Sequence, residues 1–213
     1  MNGVDKIMLD LSGRPLLSYA VRAFEESPKI DRIVLVLSEQ NQTAGKGLVA
    51  SEGWRKVVGV CTGGARRQDS VRNGIAMLGD VEWTIVHDGA RPFIDGPMIA
   101  RGLAEAARTG ASVAGVPVKD TIKRVSAERV VTETVPRDGL WSIQTPQVFR
   151  TAILRDAHAR VPEDVTDDAS MVERAGGAVT IFDGSPDNIK VTTPEDIAIA
   201  GAILKARSER APA

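Results

Sequence analysis

The strongest constraint on this chain is a repeated alternation between two kinds of segment. Short β-branched runs are each followed by a stretch with helical spacing. "DRIVLVLSE" (31–39) is apolar at successive positions, not at alternate ones. That is the signature of a strand covered by helices on both faces. "WTIVHDGA" and "ASVAGVPVKD" read the same way, and "KVVGVCTGG" is a weaker version. Between the runs, Leu17, Val21 and Phe24 recur at helical spacing behind Pro15, which suits a first turn. A polar, helix-compatible stretch runs to about Trp54. "RRQDSVRNGIAML" sets Val71, Ile75 and Leu78 on one face, and "PMIARGLAEAART" is a further helix. The alternation predicts an α/β fold with a doubly wound, mostly parallel sheet. With 213 residues, one domain spanning 1–213 is expected.

The pattern changes after Asp120. "TIKRVSAERVVTETVPR" alternates apolar and polar residues about a polar turn near Ser126 to Glu128, as an antiparallel hairpin does. It has too few large apolar residues for a core of its own. Residues 121–140 are therefore expected to form a projecting β-arm that packs on a partner subunit. The chain returns through "SIQTPQVF", a helix from Thr151, a second from about Asp167, and the strand "AVTIFDG". A last helix has Thr193 as N-cap, Pro194 at its first position, and Glu195 and Asp196 in its first turn. The tail "ARSERAPA" is expected to be loose.

A net charge of −1 supplies no basic field for nucleic acid or for an anionic membrane, so any anionic ligand must be held by locally placed cations. The single Cys61 excludes an internal disulfide framework and a cysteine zinc site. No apolar run approaches the roughly 20 residues of a membrane span. A soluble, cytoplasmic protein is expected.

Ligands of open α/β sheets bind beyond the carboxyl ends of the strands. The segments that follow strands here are "TGGARRQDS", "HDGARP", "KDTIKR" and "PDNIK". In the first, Gly63 and Gly64 permit close backbone approach and the helix start favours an anion; a plain capped turn reads equally well. In the second, Asp88 suits a metal or a ribose hydroxyl and Arg91 a phosphate, against the bland alternative of a surface ion pair. His87 reads as a hydrogen-bonded sheet residue and His158, on a polar helix, as solvated. Lys6, Lys119, Lys123, Arg124 and Lys190 have the ordinary surface cation as their default. No G-x-S-x-G, Walker A or G-x-G-x-x-G is present. Without a covalent catalyst, transfer driven by positioning and charge fits best, which is the logic of phosphoryl or nucleotidyl transfer.

Taken in order, "LSGRPLLSYAVRAF", "GGARRQDSV", "VHDGARPF", "PVKDTIKR", "VPRDGLWSIQTPQVF", "TDDASMVE" and "DNIKVTTPEDI" resemble the 2-C-methyl-D-erythritol 4-phosphate cytidylyltransferases of the non-mevalonate isoprenoid pathway. The likeness runs from Lys6 to about Arg207. It implies a nucleotidyltransferase-type sheet and a homodimer embraced through the β-arm. The reaction would join CTP and the polyol phosphate into a CDP-alcohol, releasing pyrophosphate, with Mg²⁺. By position, Lys6 resembles the lysine that stabilises charge on the α-phosphate. Gly63, Gly64 and Ser70, with Asp88, resemble nucleotide contacts. Asp88, Arg91, Thr121 and Lys190 resemble residues around the methylerythritol phosphate, with Asp88 also the metal candidate. Arg137 and Thr145 resemble contributions from the partner's arm, and Arg137 with Lys190 would hold the attacking phosphate.

In the family a strand, a Gly-rich phosphate loop and an Arg-Met pair precede this lysine, and Met1 stands at that methionine. The expectation is therefore that a strand, a loop and an arginine are missing. Two strands would then have unpaired edges, and the 213-residue form would bind CTP poorly and turn over slowly. Two alternatives are a cytidylyltransferase for another polyol phosphate such as ribitol 5-phosphate, and a truncated, inactive dimeric binding or regulatory paralogue. An NAD-binding oxidoreductase is disfavoured by the absent dinucleotide fingerprint.

Overall fold

The computed structural model describes residues 6–210; residues 1–5 and 211–213, and with them Met1 and the end of the tail, lie outside. A 3-10 turn (Lys6–Met8) leads into a short hairpin of β1 (Asp10–Leu11) and β2 (Arg14–Pro15). The hairpin turns through Ser12 and Gly13, both at positive φ. α1 (Leu16–Glu26) starts directly behind Pro15, which sits at the cap and not inside the first turn. Then come β3 (Ile33–Leu37), α2 (Gln42–Glu52), β4 (Val57–Thr62), α3 (Arg67–Leu78), β5 (Trp83–Val86), α4 (Gly96–Thr109) and β6 (Ala111–Pro117). The arm is β7 (Ile122–Val125) and β8 (Val131–Val135). The chain ends with β9 (Trp141–Arg150), α5 (Thr151–Arg160), α6 (Asp168–Arg174), β10 (Thr180–Asp183) and α7 (Pro194–Arg210). The last helix carries the expected cap: Thr193 Oγ1 accepts from the Asp196 amide, and Asp196 Oδ2 accepts from the Thr192 and Thr193 amides. That helix continues through Arg210, so residues 206–210 are helical, not loose. Arg207 of that final stretch lies over the buried Phe93 ring, 5.2 Å from its centroid, which ties the helix end to the core.

The strands form two separate main sheets. One is four-stranded in the order β10-β6-β9-β5; the other is the parallel pair β3-β4. In the larger sheet β10 is parallel to β6, but β9 runs antiparallel to both β6 and β5. The α/β alternation thus holds with a mixed sheet, because the chain comes back from the arm in the reverse direction. Ala111, Ser112 and Ala114 of β6 are fully buried, and α4 lies close against the sheet. A Cβ on Gly102 would come within 2.9 Å of Phe182 and Val148. Phe149, Leu154 and Met171 close the opposite face, with no exposed surface.

Among the described residues, β3 and β5 each pair on one edge. Their other edges line a cavity of about 340 Å³ between α1 (Leu17, Ala20, Val21, Phe24) and α3 (Ser70, Val71, Gly74, Ile75). The Ile33 amide and the Leu37 carbonyl turn toward β4. Strand alternation then turns the peptide groups of Val34 and Val36 toward the cavity. The cavity is apolar along its length and polar at one end, where Arg67, Ser70 and Asp88 lie.

Candidate functional site

At the end of β5 the chain folds back, with the Arg91 amide bonded to the Asp88 carbonyl at 2.9 Å. A directed chain of hydrogen bonds fixes the turn. The Asp88 amide donates to Thr145 Oγ1 (3.0 Å), which faces His87 Nδ1 (3.0 Å), while His87 Nε2 faces the Arg91 carbonyl (3.0 Å). A carbonyl only accepts, so Nε2 carries the proton and Nδ1 accepts from the threonine hydroxyl. Burial pushes the His87 pKa down from 6.5 to about 4, so the ring stays neutral and serves as a strut. Its edge packs on Phe24, with ring centroids 5.3 Å apart. His87 is thus the hydrogen-bonded residue that was expected.

A second loop is sewn to this turn. Val191 N donates to Ala90 O (2.8 Å), and Arg91 Nη1 donates to Asn188 O (2.6 Å). Asn188, wholly buried, donates from Nδ2 to Thr145 O (2.8 Å). The backbone tie carries Lys190 over the turn, where its Nζ lies 2.8 Å from Asp88 Oδ2; Arg91 Nε is 4.0 Å from the same oxygen. Burial pushes the Asp88 carboxyl up, but the Lys190 bond and charge, aided by Arg67, outweigh it and hold it below the usual carboxylate range. Burial lowers the Arg91 guanidinium. Two cations thus meet one carboxylate, and the charge of Arg67 reaches it as well.

The glycine turn is tied to the same hollow through Ser70, which lines it. Gly64 N donates to Ser70 Oγ at 3.0 Å, and a Cβ on Gly63 would stand 2.8 Å from that oxygen. A Cβ on Gly64 would stand 2.3 Å from Asp69 Cβ, so the close approach needs glycine. Arg66 caps α3 through Asp69.

Asp88, Arg91, Lys190 and Thr145 are therefore brought together, with Gly63, Gly64 and Ser70 on the adjoining wall. Thr145 is a correction: it lies on this subunit's own β9, buried against its own Asp88 and His87, and not on the arm. Lys6 stands exposed on its 3-10 turn, and its neighbour Ile7 lines the cavity. Thr121 and Arg137 sit exposed at the base of the arm, where Arg137 Nη1 donates to the Lys119 carbonyl (2.7 Å). No contact joins either to Asp88 among the described residues. His158 is a second correction: it is buried, its Nε2 3.4 Å from Asp168 Oδ1. A polar helix gave no hint that this one residue faces inward. Asn188 and Arg67 were missed as site residues; their positions in "DNIK" and "GGARRQ", just past strands, were the available signal.

No three His, Cys, Asp or Glu side chains cluster as metal ligands among the described residues. Asp88 is a lone carboxylate with one oxygen held by lysine, which suits a magnesium ion bound chiefly through substrate phosphates and not a protein-only cage.

A family profile described as IspD, 2-C-methyl-D-erythritol 4-phosphate cytidylyltransferase, matches residues 1–206. The chain is 48% identical to a protein of that name from Dehalococcoides mccartyi, covering 96% of this chain and 90% of that one. It is 43% identical to another from Bacillus cytotoxicus, covering 95% and 90%. Among solved structures, the 4-diphosphocytidyl-2C-methyl-D-erythritol synthase of Anaerococcus prevotii superposes with a TM-score of 0.86 at 27% identity, covering 93% of each chain. The 2-C-methyl-D-erythritol 4-phosphate cytidylyltransferase of Thermus thermophilus gives 0.81 at 34% identity, covering 94% of each.

Proposed function

This chain belongs to the 2-C-methyl-D-erythritol 4-phosphate cytidylyltransferase family, and from that premise we propose how its residues carry out the transfer. The reaction joins CTP and 2-C-methyl-D-erythritol 4-phosphate. An oxygen of the polyol phosphate attacks the α-phosphorus of CTP, the bond from that phosphorus to the β-phosphate oxygen breaks, and pyrophosphate leaves. The attacker is already an anionic oxygen, so no strong base is needed. The barrier lies in bringing two polyanions together and in the charge that builds on the α-phosphorus. The observation that carries this reading is the convergence of Lys190 and Arg91 on Asp88 beside the Gly63–Gly64 turn and Ser70.

In this reading Lys190 and Arg91 hold the acceptor phosphate, Gly63, Gly64 and Ser70 hold the nucleoside, and Lys6 faces the α-phosphate. Thr145 keeps Asp88 and His87 in register. Magnesium, when bound by the phosphates and Asp88, supplies further neutralising charge. The arm carries Ile122, Val125, Val130 and Val131 exposed, an apolar strip that suits a homodimer in which Thr121 and Arg137 of each arm complete the partner's site. A cytoplasmic setting fits the single free Cys61. No helix among the described residues is long and apolar enough to cross a membrane.

Pyrophosphate release from CTP tests the reading, with methylerythritol phosphate and ribitol 5-phosphate offered in parallel. Lys190→Ala is expected to lower kcat/KM about 10²- to 10³-fold, the loss typical of one well-placed electrostatic group. Preference for ribitol 5-phosphate would reassign the acceptor. No release with either acceptor would favour an inactive binding protein.

A further inference from the structure

Arg66 and Arg67 are sequence neighbours with opposite employment. The Arg66 guanidinium bonds to both Asp69 oxygens, to the Pro162 carbonyl (2.9 Å) and to Asp164 (3.3 Å), which ties the glycine turn to the 162–164 loop. Gln68 adds a bond from Nε2 to the Glu163 carbonyl (3.2 Å). Arg67 has one protein partner. Its Nη1 lies 2.6 Å from Asp168 Oδ2, and its other N–H groups have no protein acceptor among the described residues. Arg67 lines the cavity beside Ser70 and Asp88.

Asp168 is a costly residue to place where it is. It has no exposed surface, and its Oδ1 makes no hydrogen bond, facing only His158 Nε2 at 3.4 Å. A buried carboxylate with one strong partner destabilises a fold unless that partner is held well. The surrounding structure fixes it in place. Gln147 of β9 donates to Asp167 Oδ2 (2.7 Å) and accepts from the Ala169 amide (3.2 Å), so the start of α6 is clamped from both sides. A salt bridge serving folding alone would satisfy more of the arginine's donors, as Arg66 does. Here one donor is anchored on Asp168, and the residue lines the cavity with donors to spare.

From this geometry we infer that Arg67 is a further substrate-binding residue, contacting a phosphate of the nucleotide, and that Asp168 is its positioning residue. The inference rests on the proposed CTP-binding function and adds to it a cation anchored on α6, not on the Asp88 turn that holds Lys190. The motif "TDDASMVE" thereby acquires a role at the site: its second aspartate holds the guanidinium in place before ligand arrives, which spares the ordering of a long side chain on binding.

The test is CTP titration by calorimetry, with thermal melting of each variant alongside. Arg67→Gln is expected to raise the CTP Kd about tenfold or more, since hydrogen bonds to charged groups are among the stronger ones. Asp168→Asn, which keeps Arg67 but loosens it, is expected to raise Kd severalfold. Because either change alone leaves a buried group poorly paired, the double variant Arg67→Gln/Asp168→Asn is the decisive one. It removes both charges together and is expected to recover most of the melting temperature while still binding CTP at least about tenfold more weakly. Wild-type Kd in that folded double variant, or in Arg67→Gln, overturns the inference and leaves the cytidylyltransferase reading intact. Absence of CTP binding by the wild-type chain would overturn both.

Discussion

β9 is paired along both edges, and its Val148 and Phe149 have no exposed surface. β3 has a partner on one edge and the 340 Å³ cavity on the other. Both strands are rich in apolar side chains, and both lie between helices. The difference is continuity: in the larger sheet hydrogen bonding runs unbroken across four strands, whereas β3 and β4 are joined to the rest through α1 and α3. Side-chain burial alone does not make two regions equally secure. A strand with an open edge loses cooperativity with its neighbours even when its side chains are covered. The site draws its rigid parts from the first region, through Thr145, and its glycine turn from the second.

Three perturbations would break or sharpen that contrast. The largest effect is expected from Phe149→Ala, which should cost about 3–5 kcal/mol in denaturant unfolding, because the surrounding core cannot collapse onto the void. Leu35→Ala in β3 should fall near 2 kcal/mol, the low end for such a truncation, because its surroundings already adjoin a cavity. Equal losses at the two positions would erase the distinction.

The second concerns His87, which packs on Phe24 of α1 and so links the two regions. The unfolded residue titrates near 6.5 and the folded one near 4. Between these values the unfolded state binds more protons, so stability is full above the window and declines as pH falls through it, by about 3 kcal/mol. Asp88, whose folded pKa is depressed, adds its own loss only below the ordinary carboxylate range. Urea melts from pH 7 to pH 4 should show the decline in the wild type and a flatter profile in His87→Gln. An unchanged profile would remove His87 as its source.

The smallest effect is dynamic. By native-state hydrogen exchange, the Ile33 amide, which bonds to β4, should open locally, at lower free energy than the amides of Val113 and Val148, which should exchange only on global unfolding. Matching protection would mean that the cavity does not weaken β3.

Much of the architecture was legible because period and chemistry agree along the chain. The runs at 33–37 and 83–86 are mostly β-branched, and the cap at Thr193–Asp196 announces its helix. The antiparallel entry of β9 was not legible, since direction depends on how the arm returns and leaves no local mark. Asp88, Arg91 and Lys190 could be selected because polar residues just past strands share one edge of the sheet. That Thr145 would meet Asp88 within one subunit followed from register alone. His158 and Asp168 escaped for a different reason. Each is polar on a mainly polar helix, and only the packing of α5 against α6 turns both inward.

The bond between Lys190 and Asp88 has a consequence for what the site will accept. In the proposed reading Lys190 and Arg91 seat the acceptor phosphate, and the chain keeps an anion of its own in that seat, with Asp88 within 2.8 Å of the lysine. Chloride or acetate would exchange one negative charge for another and lose translational freedom in doing so, so such ions gain little by entering. A phosphate ester brings a second charge and several acceptor oxygens, enough to engage lysine and arginine together. Admission is thereby graded by the number of charges a guest carries, before its carbon skeleton is examined at all.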